Sequence, residues 1–155
     1  MKAQTCCFTG HRNIPKAQYP KIQMNLKKEL IKLIAQGIRY FGSGGALGFD
    51  TIAALTIIAL RKQYPHIKLI MVLPCKSQAN AWNKKDEQVY SLILKEADKI
   101  VYISEKYYRG CMHKRNRHLA DNSDICICYL AKEDGGTVYT VEYARRSGLR
   151  VINIA

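Results

Sequence analysis

The sequence predicts an α/β domain in which helices cover both faces of a mostly parallel sheet, forming a three-layer α/β/α sandwich. Short segments that are apolar at almost every position alternate with longer segments whose apolar residues recur at helical spacing. Strands without a polar face are typical of parallel sheets buried on both sides. Two glycine-rich turns, at 42–50 and 135–137, also stand where a strand would give way to a helix.

The first half of the chain contains five predicted elements. The clearest is a helix at 20–36, because its apolar residues share one face and Gly37 follows as a stop. Pro74 is expected to end the third strand. In chain order the elements are a strand at 4–9, the helix at 20–36, a strand at 38–42, a helix from 51 to about 63, and a strand at 68–73.

The second half continues this alternation, and Gly148 is expected to end its last helix. The elements are a helix at 84–97, a strand at 99–103, a short helix at 112–120, a strand at 124–130, a helix at 136–146, and a strand at 150–154. Six strands separated by five helices indicate a Rossmann-like fold. The length of 155 residues indicates a single domain spanning 1–155.

The composition narrows the class of protein. No apolar run approaches the length of a membrane span and residues 1–5 lack an apolar signal region, so we expect a cytoplasmic protein without a membrane partner. None of the six cysteines has CxxC spacing, and we expect no metal and no cofactor. The net charge of +13 is mostly scattered over helix faces, but the segment 109–118 is dense enough to be a local anion site.

The glycine-rich turns predict binding of an anion. The start of a helix has unpaired backbone N–H groups and the positive end of the helix dipole, and glycine allows close approach. The spacing Gly42-x-Gly44-x-x-x-Gly48 differs from GxGxxG, and no acidic residue stands about twenty positions later, which argues against NAD or FAD in the usual mode. No Gly-Lys-Ser/Thr follows, which excludes a P-loop. These features together favour a phosphate-bearing, nucleotide-like ligand.

The candidate site residues lie in loops at the carboxyl edge of the predicted sheet, where ligands bind in this fold class. We expect Arg12 to hold phosphate and Asp50 to hydrogen-bond a ribose hydroxyl, although aspartate at a helix start is also an ordinary N-cap. His11 is either a proton donor or an ordering element of its turn. Trp82 and Tyr107 either stack on a base or pack loops. The candidate ligand-binding residues are Gly10, His11, Arg12, Gly44, Gly45, Gly48, Asp50, Arg115, Asn116, Gly135, Gly136 and Thr137.

Four ordered motifs carry a resemblance to a known family. They are Thr5-Cys6-Cys7-Phe8-Thr9-Gly10-His11-Arg12, Gly44-Gly45-Ala46-Leu47-Gly48-Phe49-Asp50, Arg115-Asn116 with Asp121-x-Ser123-Asp124, and Gly135-Gly136-Thr137-x-x-Thr140-x-x-Tyr143-Ala144. Across nearly the whole chain they resemble the YpsA-like branch of the SLOG superfamily, which also includes the DNA-processing Smf/DprA proteins and the LOG (lysine-decarboxylase-like) phosphoribohydrolases. The resemblance implies a bacterial Rossmann-like domain that binds a nucleotide or nucleotide-derived molecule. It also implies a link to stress signalling or cell division, and a possible homodimer.

The last motif departs from that of the LOG enzymes, which release a free base from a nucleoside monophosphate. Their motif is Pro-Gly-Gly-x-Gly-Thr-x-x-Glu. Here Asp134 precedes the two glycines, Thr137 follows them directly, and Thr140 stands at the place of the catalytic glutamate. Glu142 and Asp50 are then the candidate catalytic carboxylates.

Three functions stay open on the sequence. The preferred one is binding or sensing of a nucleotide-derived small molecule, ADP-ribose-like in kind. The first alternative is an N-glycoside hydrolase of the phosphoribohydrolase type, which would need a carboxylate near the anomeric carbon. The second is single-stranded DNA binding along 109–117, with aromatic stacking. Whether the protein is an enzyme is left undecided.

Overall fold

The computed structural model describes residues 2–133 and 135–155, and every predicted strand and helix is present in them. The strands are β1 (Thr5–Gly10), β2 (Tyr40–Ser43), β3 (Lys68–Cys75), β4 (Lys99–Ser104), β5 (Ile125–Tyr129) and β6 (Arg150–Asn153). The helices are α1 (Tyr19–Ala35), α2 (Phe49–Leu60), α3 (Lys84–Glu96), α4 (Cys111–Asp121) and α5 (Gly135–Arg146). Among the described residues, no helix combines the length and the apolar character needed to cross a membrane.

The six strands of the described residues are all parallel and form one sheet in the order β4-β3-β2-β1-β5-β6. From β1 the chain moves outward to β4 and then crosses back, so that β5 pairs with the other side of β1. The carboxyl ends of β1 and β5 therefore form the switch point at which ligands bind in open α/β sheets. The prediction of a Rossmann-like three-layer sandwich is confirmed, with a sheet that is parallel throughout.

Most element boundaries lie within one residue of the predictions, and two of the larger differences have a clear structural cause. β3 continues through Pro74 instead of ending before it. The pairing of β2 with β3 has already ended at Ser43 and Met71, so the missing N–H of Pro74 removes no bond to β2. α2 begins at Phe49, two residues early, because Gly48 directly before it takes a φ of 81°.

Each face of the sheet has its own apolar core. On one face, Phe8 packs against Phe41 and Phe49, with ring centroids 6.3 Å apart in both pairs. α2 packs between α1 and α3 there, which explains why its last ten residues, 51–60, carry no charge. On the other face, α4 and α5 cover a second cluster that includes Cys7 and Cys126. Both cores end at the carboxyl edge of the sheet, so the loops there rest on packed elements.

Candidate anion-binding site

A small cavity lies at the switch point, and its volume is about 180 Å³. The segments that follow β1 and β2 form one side of it, and the first two turns of α4 and the start of α5 form the other. The structure thus brings four separate parts of the sequence together at one end of the sheet. Seven predicted ligand-binding residues line this cavity, namely Gly10, Arg12, Asp50, Arg115, Asn116, Gly136 and Thr137.

The first glycine turn is closed by its own side chains. The Ser43 hydroxyl donates to the Asp50 carbonyl at 3.0 Å and accepts from the Gly45 amide at 3.3 Å. The Asp50 carboxylate accepts from the Ala46 amide at 3.3 Å, and the Thr51 hydroxyl donates to the Ala46 carbonyl at 2.8 Å. Asp50 is not an N-cap, because it lies inside the first turn of α2. Two amides of this turn are therefore occupied, and the turn positions Asp50 rather than surrounding an anion.

Arg115 is the most buried charged side chain at the site, with only 4% of its surface exposed. Its Nη1 donates to the Gly44 carbonyl at 2.5 Å and its Nε to the Asn116 side-chain oxygen at 2.7 Å. Its Nη2 contacts the Met112 sulfur, a weak acceptor, at 3.6 Å. Among the described residues no carboxylate forms an ion pair with it. A buried guanidinium with neutral acceptors alone favours an anion in the adjoining cavity.

Gly44 makes room for this guanidinium. A Cβ at Gly44 would lie 2.6 Å from Nη1 of Arg115 and 2.7 Å from its Cζ. Gln78 completes the arrangement, because its amide nitrogen donates to the Gly44 carbonyl at 3.3 Å and to the Tyr90 hydroxyl at 3.2 Å. Gln78 and Tyr90 were not among the predicted site residues. The available signal was a glutamine shortly after β3, at the same edge of the sheet as the glycine turns.

The cavity is lined by more positive than negative side chains. Asp50 is 7% exposed, and this burial raises its pKa to about 6, against the opposing pull of Arg115, the Ala46 amide and Arg12. Burial also lowers the pKa of Arg115, while Asp50 opposes that change. Arg12 is exposed, and its guanidinium makes no hydrogen bond or ion pair with the described residues. Two guanidinium groups against one carboxylate leave the cavity with an excess of positive charge.

His11 connects the loop after β1 to its two neighbours. Its Nε2 accepts from the amides of Ala131 and Lys132 at 3.0 and 3.1 Å, and its carbonyl accepts from the Phe49 amide at 3.1 Å. The close passage also requires glycine at Gly48, since a Cβ there would collide with the backbone of His11. Of the two predicted roles, this geometry supports the ordering of loops.

The second glycine turn is open. α5 begins at Gly135, and the first four amides of a helix have no partner within it. Gly136 and the buried Thr137 line the cavity, so these amides lie beside it. Gly135 lies just outside the lining and enters the helix with a φ of 77°. The preceding Asp134 lies outside the described residues.

Glu142, one of the two candidate catalytic carboxylates, does not line the cavity. It is exposed and lies five residues after Thr137, about 140° further around α5 at 3.6 residues per turn. Thr140, at the place of the LOG glutamate, is buried and donates its hydroxyl to the Gly136 carbonyl at 3.0 Å. Asp50 is the carboxylate that lines the cavity among the described residues.

The two candidate stacking residues lie away from the cavity lining. Trp82 packs edge-on against Tyr90, with ring centroids 5.1 Å apart, and so follows the packing interpretation. Tyr107 is 63% exposed in the loop between β4 and α4. His113, which was not a predicted ligand-binding residue, lines the cavity instead. Its ring packs against that of Tyr139, with centroids 4.4 Å apart. The described residues contain no cluster of three or more potential metal ligands.

Comparison with known proteins agrees with this fold. A UPF0398 protein of Brevibacillus brevis is 28% identical over 128 residues, which cover 81% of this chain and 68% of that protein. DNA processing protein A of Helicobacter pylori superposes with a TM-score of 0.68 at 20% identity, over 97% of this chain and 64% of that one. The Streptococcus pneumoniae protein of the same name gives 0.70 at 21% identity, over 97% and 50%. This chain thus spans only about half to two thirds of the DNA processing proteins.

A comparison with protein families matches most of the chain. The family model YpsA, described as "YspA SLOG family", matches residues 6–150. That range includes both glycine turns and every residue that lines the cavity. The chain therefore belongs to the YpsA family of SLOG domains.

Proposed function

We propose that the protein binds a nucleotide or nucleotide-derived small molecule at the switch-point cavity. The observation that carries this proposal is Arg115, a buried guanidinium that forms no direct ion pair among the described residues, beside the first amides of α5, which have no partner within the helix. A phosphate group fits this combination, because it accepts hydrogen bonds from guanidinium groups and from helix N-termini. Asp50 supplies an acceptor for a sugar hydroxyl within the same cavity.

The size of the cavity limits how much of the ligand it holds. About 180 Å³ is smaller than the roughly 300–1,000 Å³ of pockets that enclose drug-sized ligands. Arg12 also lines a neighbouring open groove of about 530 Å³, together with Tyr19 and Lys132. We therefore place a sugar phosphate in the cavity and the remainder of the ligand, including a base, in this groove.

Binding without turnover is favoured over hydrolysis. Most glycosidases use a pair of carboxylates on either side of the bond that breaks. Here Asp50 is the cavity carboxylate among the described residues, and Glu142 is directed elsewhere. Asp50 is also engaged with the Ala46 amide. A hydrolase would have to rely on Asp50 alone.

Calorimetric titration with AMP, ADP-ribose, ribose 5-phosphate and inorganic phosphate tests the proposal. We expect binding of at least one sugar phosphate, weakened roughly tenfold or more in Arg12→Ala, because a charged hydrogen bond contributes about 1.5–3 kcal/mol. Arg150→Ala, which removes an exposed arginine of β6 outside the cavity, is the matched control. Absence of binding across the panel contradicts the proposal. Release of free base from AMP that is lost in Asp50→Asn would establish hydrolysis instead.

A second candidate is single-stranded DNA binding, favoured by one specific surface. Tyr107 and Tyr108 are 63% and 41% exposed and stand between the exposed Lys106 and Arg109. Exposed aromatic rings among basic residues suit stacked bases and a phosphate backbone. The solved structure from Helicobacter pylori concerns the single-stranded DNA binding mode of that protein. Oligonucleotide affinity that falls steeply with salt, and falls again in Tyr107→Ala, would support this candidate.

The wider biological expectations depend on the ligand. A regulatory role in bacterial stress or cell division, a cytoplasmic location and a single-domain organisation stay predictions. Identifying which compound of the panel binds, and then measuring its level under stress, would test the regulatory role.

A further inference from the structure

The two edges of the sheet differ in what they expose. All six residues of β4 are exposed or half-buried, and Ile100 and Tyr102 are 37% and 40% exposed. At the other edge, β6 exposes no large apolar side chain to that degree. An edge strand also carries an unpaired row of N–H and C=O groups. β4 thus combines unpaired backbone groups with uncovered apolar side chains, independently of the ligand cavity.

The sequence of β4 is complementary to itself when read in the opposite direction. When two copies of β4 pair antiparallel about a two-fold axis, the residue numbers of every opposed pair have the same sum, and this sum defines the register. Opposed side chains point to the same face of the sheet, so the sum must be even. A sum of 204 places Lys99 opposite Glu105 of the second copy, and Val101 opposite Ile103 of the second copy. Tyr102 then meets Tyr102 of the second copy on the symmetry axis. Every opposed pair that includes a charge is a pair of opposite charges.

Other registers lack this match. A sum of 202 sets Lys99 against Ile103 of the second copy, and a sum of 200 sets Lys99 against Val101 of the second copy. Glu105 is well exposed, with 77% of its side chain accessible, and its neighbour Lys76 lies 3.1 Å away. Its second carboxylate oxygen can accept from a further cation. Charge complementarity therefore selects one register and one occupant for this edge.

We propose that β4 is a self-association surface, on which a second copy of this chain pairs antiparallel through residues 99–105 and joins the two sheets into one. The pairing satisfies the outward backbone groups of β4. It also covers Val101 and Ile103 on the α4 side of the sheet, and Ile100 and Tyr102 on the other. A six-residue edge is a small interface, and interfaces below about 1,200 Å² are typical of weak complexes. The dimer is accordingly reversible and concentration-dependent.

Sedimentation equilibrium of the full chain over a wide concentration range tests this proposal. We expect a monomer–dimer equilibrium that Lys99→Glu weakens roughly tenfold or more, because two symmetry-related ion pairs become like-charge pairs. Glu105→Lys has the same expected effect. The double variant Lys99→Glu with Glu105→Lys restores wild-type dimerisation, since it reverses both charges of each pair. Tyr102→Lys places two ammonium groups on the axis and also weakens the dimer.

The charge reversal separates the interface from a loss of folding. The single and double variants are compared by their melting temperatures, and the β6 variant Arg150→Glu is the matched control at the opposite edge. A wild-type chain that stays monomeric up to its solubility limit overturns the proposal. A dimer that is unaffected by the single variants, or that the double variant does not restore, overturns it as well.

Discussion

The two glycine turns look alike in the sequence and differ in the structure. In the first turn, Ser43 and Asp50 accept from the amides of Gly45 and Ala46. In the second, a Cβ at Gly135 would meet no atom within 4 Å, and the amides at the start of α5 stay free of intrahelical partners. The first turn is packed and closed, whereas the second is exposed and open.

The difference lies in which acceptors each turn offers to its own amides. A turn that contains its own hydroxyl and carboxylate acceptors uses its amides internally and becomes a support for a side chain. In the second turn, no side chain among residues 135–155 or 2–133 accepts from the first amides of α5, and these amides are therefore left for a ligand. The first turn therefore presents Asp50 and makes room for Arg115, and the second presents backbone N–H groups to the same cavity.

The largest expected effect comes from adding a methyl group to the closed turn. Gly48→Ala introduces a side chain at a φ of 81° and against the backbone carbonyls of His11 and Arg12. We expect a loss of roughly 2–5 kcal/mol in the free energy of unfolding, measured by urea denaturation. Gly135→Ala, at a φ of 77° but in open space, is the matched variant of the open turn and should lose only about 1–2 kcal/mol. Equal losses would contradict the distinction.

The second prediction concerns the charge that the closed turn holds. Burial raises the pKa of Asp50 to about 6, above the value of about 3.9 in an unfolded chain. The folded protein therefore binds this proton more tightly than the unfolded chain does. Its free energy of unfolding falls by on the order of 3 kcal/mol as the pH rises from about 4 to about 6. Asp50→Asn should remove this contribution, so that the variant gains stability over the wild type as the pH rises to 7. If the free energies of unfolding of the wild type and Asp50→Asn change in parallel from pH 4 to pH 7, the prediction is refuted.

A smaller effect is expected where the two turns are connected. His11→Ala removes the acceptor for the amides of Ala131 and Lys132, which lead towards the open turn. Both amides are exposed and can pair with water, so we expect a loss of only about 1 kcal/mol. Hydrogen exchange should be faster at Ala131 and Lys132 and unchanged within α2. Unchanged exchange at these two amides would show that His11 does not order this loop.

The smallest effect is expected at Glu142. It is exposed on α5 and outside the cavity, so Glu142→Gln should change stability by no more than about 0.5 kcal/mol and leave ligand affinity unaltered. Calorimetric titration with whichever of AMP, ADP-ribose, ribose 5-phosphate and inorganic phosphate binds the wild type measures the affinity. A clear loss of ligand binding in this variant would mean that the binding site extends further along α5 than the cavity indicates.

The sequence predicted the architecture well because the governing patterns are local. Apolar strands, helical spacing and stops such as Gly37 each act within a few residues, and all eleven main elements were found. The residues that line the cavity were also mostly anticipated, since loops at one edge of a parallel sheet must meet. Gln78 and Tyr90 were missed because their roles depend on where the Gly44 carbonyl lies in space. The closure of the first turn was missed for the same reason.

The crossing of the chain at β1 has a consequence for how the protein is made. β1 pairs with β2 about 35 positions later, but Cys6 finds its partner Ile125 on β5 only near the end of the sequence. The bond between Arg115 and the Gly44 carbonyl spans 71 positions. During synthesis, the half of the sheet from β1 to β4 can therefore assemble while β1 is still unpaired on the side that later bonds to β5. The cavity can close only after the start of α5 has been made, so the binding site forms late in synthesis, as expected when distant segments must meet.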